Sequence, residues 1–271
     1  QAAAKVFFDH GDPKRALQLY TAILEEAGSR LVGSDRSTVL FRHGEAARRA
    51  GDAVTALKSL SEAADMDPSA PEPLAAIAKV HETKGDWEEV IRIKSRRLDV
   101  ASGDERVDLL VEIGEVCASK LNDRTRAAKS FATALEERPE DRKLLTRLMQ
   151  VYSENKDWQK LVEIVLKLAD FVDDKKQKAK YIHTAAMVTS QQMNEPDKAL
   201  EFLDKVLELD PSNDKALDEA LKLRRDKEDF EGVEKMLKVR LERATERSDR
   251  DTVLKTFDEL GELYHKKLNL M

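Results

Sequence analysis

The sequence predicts an all-α chain, a solenoid of stacked helical hairpins. Three observations lead there. Among 271 residues only 10 are Gly and 7 are Pro, while 37 % are charged and 41 % apolar. An all-β chain needs many more turn residues, and a disordered one fewer apolar residues. Apolar residues also recur at helical spacing. Ala127, Phe131, Ala134 and Leu135 fall at i, i+4, i+7 and i+8, and Ala199, Leu200, Leu203, Val206 and Leu207 behave alike. Finally, the sequence repeats itself. Pro68, Pro139 and Pro211 are 71 and 72 residues apart, as are Trp87, Trp158 and Phe230. A period of this length marks a repeat array.

The double unit of about 72 residues splits into two units of 34–36, each with two helical patterns. The expected units are 1–30, 37–70, 71–106, 107–141, 142–178, 179–213 and 214–250, with a final helix at 251–268, all in one solenoid domain. Pro13 and Pro196 suit a first helical turn, where a missing N–H costs nothing. Gly51-Asp52 and Gly85-Asp86 each read as a C-cap followed by an N-cap. Pro68, Pro139 and Pro211 close second helices. The segment Gly28–Arg36, with two Gly and two Ser, reads as the longest loop.

In the unit from Ser37, Leu40, Gly44, Ala56, Leu60, Ala63 and Pro68 stand at fixed offsets. Ile113-Gly114, Ala127, Phe131, Ala134 and Pro139 repeat the pattern with one extra turn residue at Leu121-Asn122-Asp123. Ala199, Leu203 and Pro211 repeat it again, and Leu260-Gly261 with Tyr264 begin a further copy. This pattern resembles the tetratricopeptide repeat (TPR). Alternate units depart from it: Val90, Leu161 and Val233 replace the small Ala, and no Pro closes them. The resemblance implies a right-handed α-α superhelix of about seven helix-turn-helix repeats plus a C-terminal helix, with first helices lining a concave groove.

Lys and Arg total 47, Asp and Glu 53, giving a net charge of −6 without a block of like charge. Nucleic acid is not expected as a partner, since phosphate binding needs a concentrated basic face. No run approaches the ~18–20 apolar residues of a membrane helix. Gln1 opens the chain, which is expected to be a segment of a longer polypeptide. No signal assigns a compartment; a cytoplasmic one is favoured. The single Cys117 excludes an intrachain disulfide. It shares a repeat position with His81, Tyr152 and Tyr264 and reads as a buried thiol. The histidines, His10, His43, His81, His183 and His265, are dispersed, and none pairs with another at i, i+4 as a zinc site would use. Trp87, Trp158 and Phe230 recur with the structural period and read as packing. No catalytic signature or phosphate loop stands out, so neither an enzyme, a metal nor a cofactor is expected.

The resemblance also implies groove positions at the second, fifth, sixth, ninth, twelfth and thirteenth places of each unit. Phe41, Arg42, Glu45 and Arg49 occupy them in one unit, Lys79 in the next, then Glu112 and Glu115. Lys143, Arg147 and Gln150 follow, then His183 and Met187, then Lys222. The Lys and Asn with which some relatives grip a terminal carboxylate are missing at the fifth and ninth places. The function expected is a protein-interaction scaffold taking a peptide or partner protein in the groove. The alternative is a spacer or self-association module, with homodimerisation through exposed terminal helices. A small-ligand sensor is a third, less favoured reading.

Overall fold

A computed structural model describes residues 2–9, 11–27 and 30–268. His10, Gly28 and Ser29 lie outside them. The described residues form fifteen α-helices and no strand. They divide into two compact units, 1–139 and 140–271.

The first unit is four hairpins. Helices α1 (Ala2–Asp9) and α2 (Pro13–Ala27) form one, and α3 (Gly33–Ala50) and α4 (Ala53–Met66) the second. Helices α5 (Pro71–Lys84) with α6 (Trp87–Leu98), and α7 (Gly103–Ser119) with α8 (Arg124–Glu137), complete it. In the second unit α9 (Arg142–Asn155) pairs with α10 (Trp158–Asp170), and α11 (Lys175–Gln191) with α12 (Pro196–Leu209). Helix α13 (Asp214–Asp226) pairs with α14 (Phe230–Glu246), and α15 (Arg250–Leu268) packs on α14. Within each unit each helix packs on the next in sequence.

Gly51 and Gly85 take φ of +86° and +75°, the left-handed geometry of a helix C-cap, and their N–H groups bond back into the last turn. Asp52 accepts from Thr55 N–H at 3.0 Å as an N-cap. Asp86 stands at the equivalent N-cap position but makes no cap bond. Its carboxylate turns to Lys84 Nζ at 3.0 Å and His81 Nδ1 at 3.4 Å, partners whose places Ala50 and Ala47 take before Asp52. The one-residue insertions end in Asn122 and Asn194, with φ of +53° and +55°. Asn tolerates this geometry better than most side chains.

The loop expected at Gly28–Arg36 is shorter than the sequence suggests, because α3 begins at Gly33. Two contacts hold this early start. Arg36 Nη2 reaches Glu62 Oε1 of α4 at 2.8 Å, and Ser37 Oγ donates to the Ala63 carbonyl. Helices α7 and α11 also start four residues before their repeat boundary. There Arg106 bonds Glu137 at 2.7 Å and Lys178 reaches Asp170 at 3.3 Å.

The hairpins α3/α4, α7/α8 and α11/α12 pack along more of their length than α5/α6, α9/α10 and α13/α14. The small residues account for this. A Cβ on Gly44 would lie 2.5 Å from Leu60 Cγ, and one on Gly114 2.5 Å from Phe131 Cε1. Each glycine is a slot for a large side chain of the following helix. Ala186 holds the same place in α11 and is fully buried. The alternate hairpins carry Val90, Leu161 and Val233 where a small residue would let the helices close in.

Candidate binding face

Each first helix buries one side against its second helix and leaves the opposite side for other contacts. In α9, Leu144, Leu145, Leu148, Val151 and Tyr152 are buried, while Lys143, Thr146 and Gln150 are exposed. In α11, Ala179, Ile182, Ala185, Ala186 and Thr189 are buried and Lys180 and Thr184 are exposed. In α13, Lys215, Asp218 and Lys222 are exposed. Of the expected groove residues on these three helices, Lys143, Gln150 and Lys222 are exposed.

In the first unit much of this face is occupied by the protein itself. Phe41 is half-buried against the cluster that holds Leu60, Leu74 and Ile77. Glu45 takes a bidentate pair from Arg48, at 2.7 and 3.0 Å, and lies 3.8 Å from Arg49. The Arg49 guanidinium also stacks 4.0 Å over the Phe8 ring of α1. These residues close the face near α1. Arg42 is half-buried beside them, and Lys79 and Glu115 are exposed.

Lys94, on the second helix α6, is a residue that the sequence pattern did not single out. It stands where the other hairpins place Leu60, Phe131 and Leu203, in the column of large core side chains. Its side chain is only 10 % exposed, and its Nζ reaches Glu112 Oε2 at 2.6 Å and Glu82 Oε1 at 3.5 Å. Lys94 thus passes its stem through the core and ties α5 to α7 by their carboxylates. Its signal in the sequence is a cation at a core place, with Glu82 and Glu112 on the two neighbouring first helices.

In the second unit Arg147 and Met187 are half-buried, and Gln150 Nε2 donates to Glu154 at 3.0 Å. Asp218 is held by Arg240 of α14, which also reaches Glu259 at 3.1 Å. His183 is half-buried with Nε2 enclosed and unpartnered. Burial holds its pKa below the ordinary imidazole value, against an opposing pull from Glu219; Lys215 adds to the depression.

Two further titratable residues are buried in the packing, His43 and Cys117. His43 is buried, with Thr21 Oγ1 and Ser59 Oγ on its two ring nitrogens at 3.0 and 2.8 Å, and burial lowers its pKa. Cys117 is fully buried, and burial pushes its thiol up. Trp87 and Trp158 are half-buried at the first turns of α6 and α10. Among the described residues no three His, Cys, Asp or Glu side chains gather as a metal site, and no helix is long and apolar enough to cross a membrane.

A tetratricopeptide repeat family model matches residues 2–89, and a second matches 182–213. The chain carries tetratricopeptide repeats. In the TPR pattern Gly44 and Gly114 hold the small-residue place of the first helix, with Leu60 and Phe131 as their partners. A chain of the Naa15/Naa10 complex bound to HypK-THB is similar, with a TM-score of 0.57 at 13 % identity. The match covers 95 % of this chain and 38 % of that one, so this TPR chain spans well under half of its length. At that identity the likeness is one of fold. YrrB, a TPR protein with an unusual peptide-binding site, gives a TM-score of 0.40 at 18 % identity, over 74 % of this chain and 97 % of its own. A tetratricopeptide repeat protein from Parabacteroides merdae gives 0.47 at 15 %, over 94 % and 96 %. No curated protein matches this TPR chain.

Proposed function

We propose that the chain is a protein-interaction scaffold whose first-helix faces hold a segment of a partner protein. The observation that carries this reading is the ninth place of the repeat. On α5, α7, α9 and α13 it is filled by the exposed polar residues Lys79, Glu115, Gln150 and Lys222, and on α3 and α11 by half-buried Glu45 and Met187. A register that is exposed and polar in four of six helices, on helices with one buried side, is suited to contact with another chain. A photo-crosslinking residue at Lys79, Gln150 or Met187 is expected to capture the partner, and the same residue at Lys129 or Glu201 on second helices is not. Capture from the second-helix sites alone would refute the assignment.

The second reading is self-association, and α15 favours it. Leu254, Phe257 and Tyr264 lie along one side of that helix at 64 %, 56 % and 40 % exposure. The equivalent residues of α7, Val107, Leu110 and Cys117, are buried by α8. Sedimentation equilibrium over a concentration series separates the readings: a dimer lost on Phe257→Asp would support self-association.

A further inference from the structure

Lys143, Lys180 and Lys215 stand at the same place of three successive repeats, on α9, α11 and α13. The first unit holds Thr38, Glu72 and Asp108 there. Lys222 lies two turns along α13 on the same side as Lys215. All four lysines are exposed, and none forms an ion pair among the described residues, in a chain where most arginines are paired. The faces adjoin. Thr146 of α9 lines one cavity with Gln177 and Tyr181 of α11, and the His183 ring feels both Lys215 and Glu219 of α13. Of the carboxylates near the lysines, Asp218 is paired with Arg240. Glu154, which accepts from the neutral Gln150 amide, Glu219, beside His183, and Asp173 and Asp174, at the edge of the cavity, add negative charge to this region. The four lysines thus stand as separate exposed ammonium groups, without a carboxylate in ion-pair contact among the described residues, on a protein whose net charge is −6.

We infer that the first-helix face of the second unit binds an acidic segment of polypeptide, with Lys143, Lys180, Lys215 and Lys222 as its counter-charges. This inference rests on the proposed use of the first-helix faces. A short run of Asp and Glu matches a few separated ammonium groups, each a point charge. Nucleic acid fits less well, because its dense phosphates call for a broader basic surface and its bases for aromatic platforms. Thr146, Gln150 and Met187 offer none, and Tyr181 is a single half-buried ring.

The test is fluorescence anisotropy of the full chain with a labelled twelve-residue Asp/Glu-rich peptide. Controls are its Asn/Gln counterpart, its Lys/Arg counterpart and a single-stranded oligonucleotide of similar length. The acidic peptide is expected to bind alone and to weaken with salt. Replacing Lys143, Lys180 and Lys215 by Gln should lower its affinity about tenfold, while the same change at Lys129, Lys205 and Lys235 leaves it unchanged. Equal binding of the neutral peptide or the oligonucleotide would overturn the inference, as would an unaffected triple variant. A partner captured from Met187 whose binding survives the triple variant would leave the face reading standing and remove the charge inference. Capture confined to the second helices would remove the face reading itself.

Discussion

Gly114→Ala is expected to destabilise the protein although alanine is the better helix former. A Cβ at this position would lie 2.5, 2.7 and 2.9 Å from Cε1, Cδ1 and Cζ of Phe131, whose side chain is only 2 % exposed. A ring edge held by its packing cannot yield as the tip of a flexible chain would. Overpacking of this kind costs about 1–3 kcal/mol. Replacing Gly by Ala in a helix interior returns roughly 0.5–1 kcal/mol. With three ring atoms inside 3 Å the clash should win, for a net loss of about 1–2 kcal/mol. Gly261 provides the internal control. It occupies the same place in α15, where a Cβ meets nothing within 4 Å. Gly261→Ala should therefore stabilise by roughly 0.5–1 kcal/mol.

Urea unfolding followed by circular dichroism measures both variants. A double-mutant cycle with Phe131→Leu isolates the contact, since the narrower side chain relieves the clash and the two changes should couple by about 1 kcal/mol. If Gly114→Ala and Gly261→Ala shifted stability alike, or if the cycle closed without coupling, the slot-and-knob account of the tight hairpins would be wrong.

Three further outcomes follow from particular side chains. Lys94→Met should leave stability unchanged or raise it by about 1 kcal/mol, because a buried charge gives way to an apolar side chain in a core column; removing Glu82 and Glu112 together should cost about 2 kcal/mol by stranding the ammonium. Both are read from thermal or urea unfolding. Burial lowers the folded pKa of His43, so the unfolded chain binds the proton more readily. Stability is then complete above the ordinary imidazole range and falls as pH drops through it, a loss that His43→Gln should reduce in unfolding curves taken from pH 7.5 to 5. The Cys117 thiol, fully buried and raised in pKa, should react with Ellman's reagent at the rate at which hairpin α7/α8 opens, so that labelling accelerates in parallel with unfolding in urea.

The fold was legible because its signals are local. Pro68, Pro139 and Pro211 follow directly on the C-caps Asp67, Arg138 and Asp210, and Gly51 and Gly85 turn left-handed where a helix must stop. These effects act over four or five residues, within the span that a sequence pattern displays. The early starts of α3, α7 and α11 were not legible in this way. Each depends on an Arg or Lys that reaches a carboxylate 26, 31 or 8 residues away, on an already folded neighbour. Asp86 shows the same limit at short range: its type and position suit a cap, but Lys84 and His81, within five residues, take the carboxylate instead.

Charge on the binding face was legible in kind but not in amount. The repeat register put Glu112, Lys143 and Lys222 on first-helix faces, but formal charge is not the charge a partner meets. Second helices send cations through to neutralise acids of the first helices, Lys94 to Glu112 over 18 residues and Arg240 to Asp218 over 22. In the first unit this quiets a face rich in carboxylates. In the second it removes one acid, Asp218, from among lysines that form no ion pair within the described residues. The same device thus lowers the charge of one face and raises the balance of the other, while Arg48 and Arg49 near α1 are already engaged by Glu45 and the Phe8 ring.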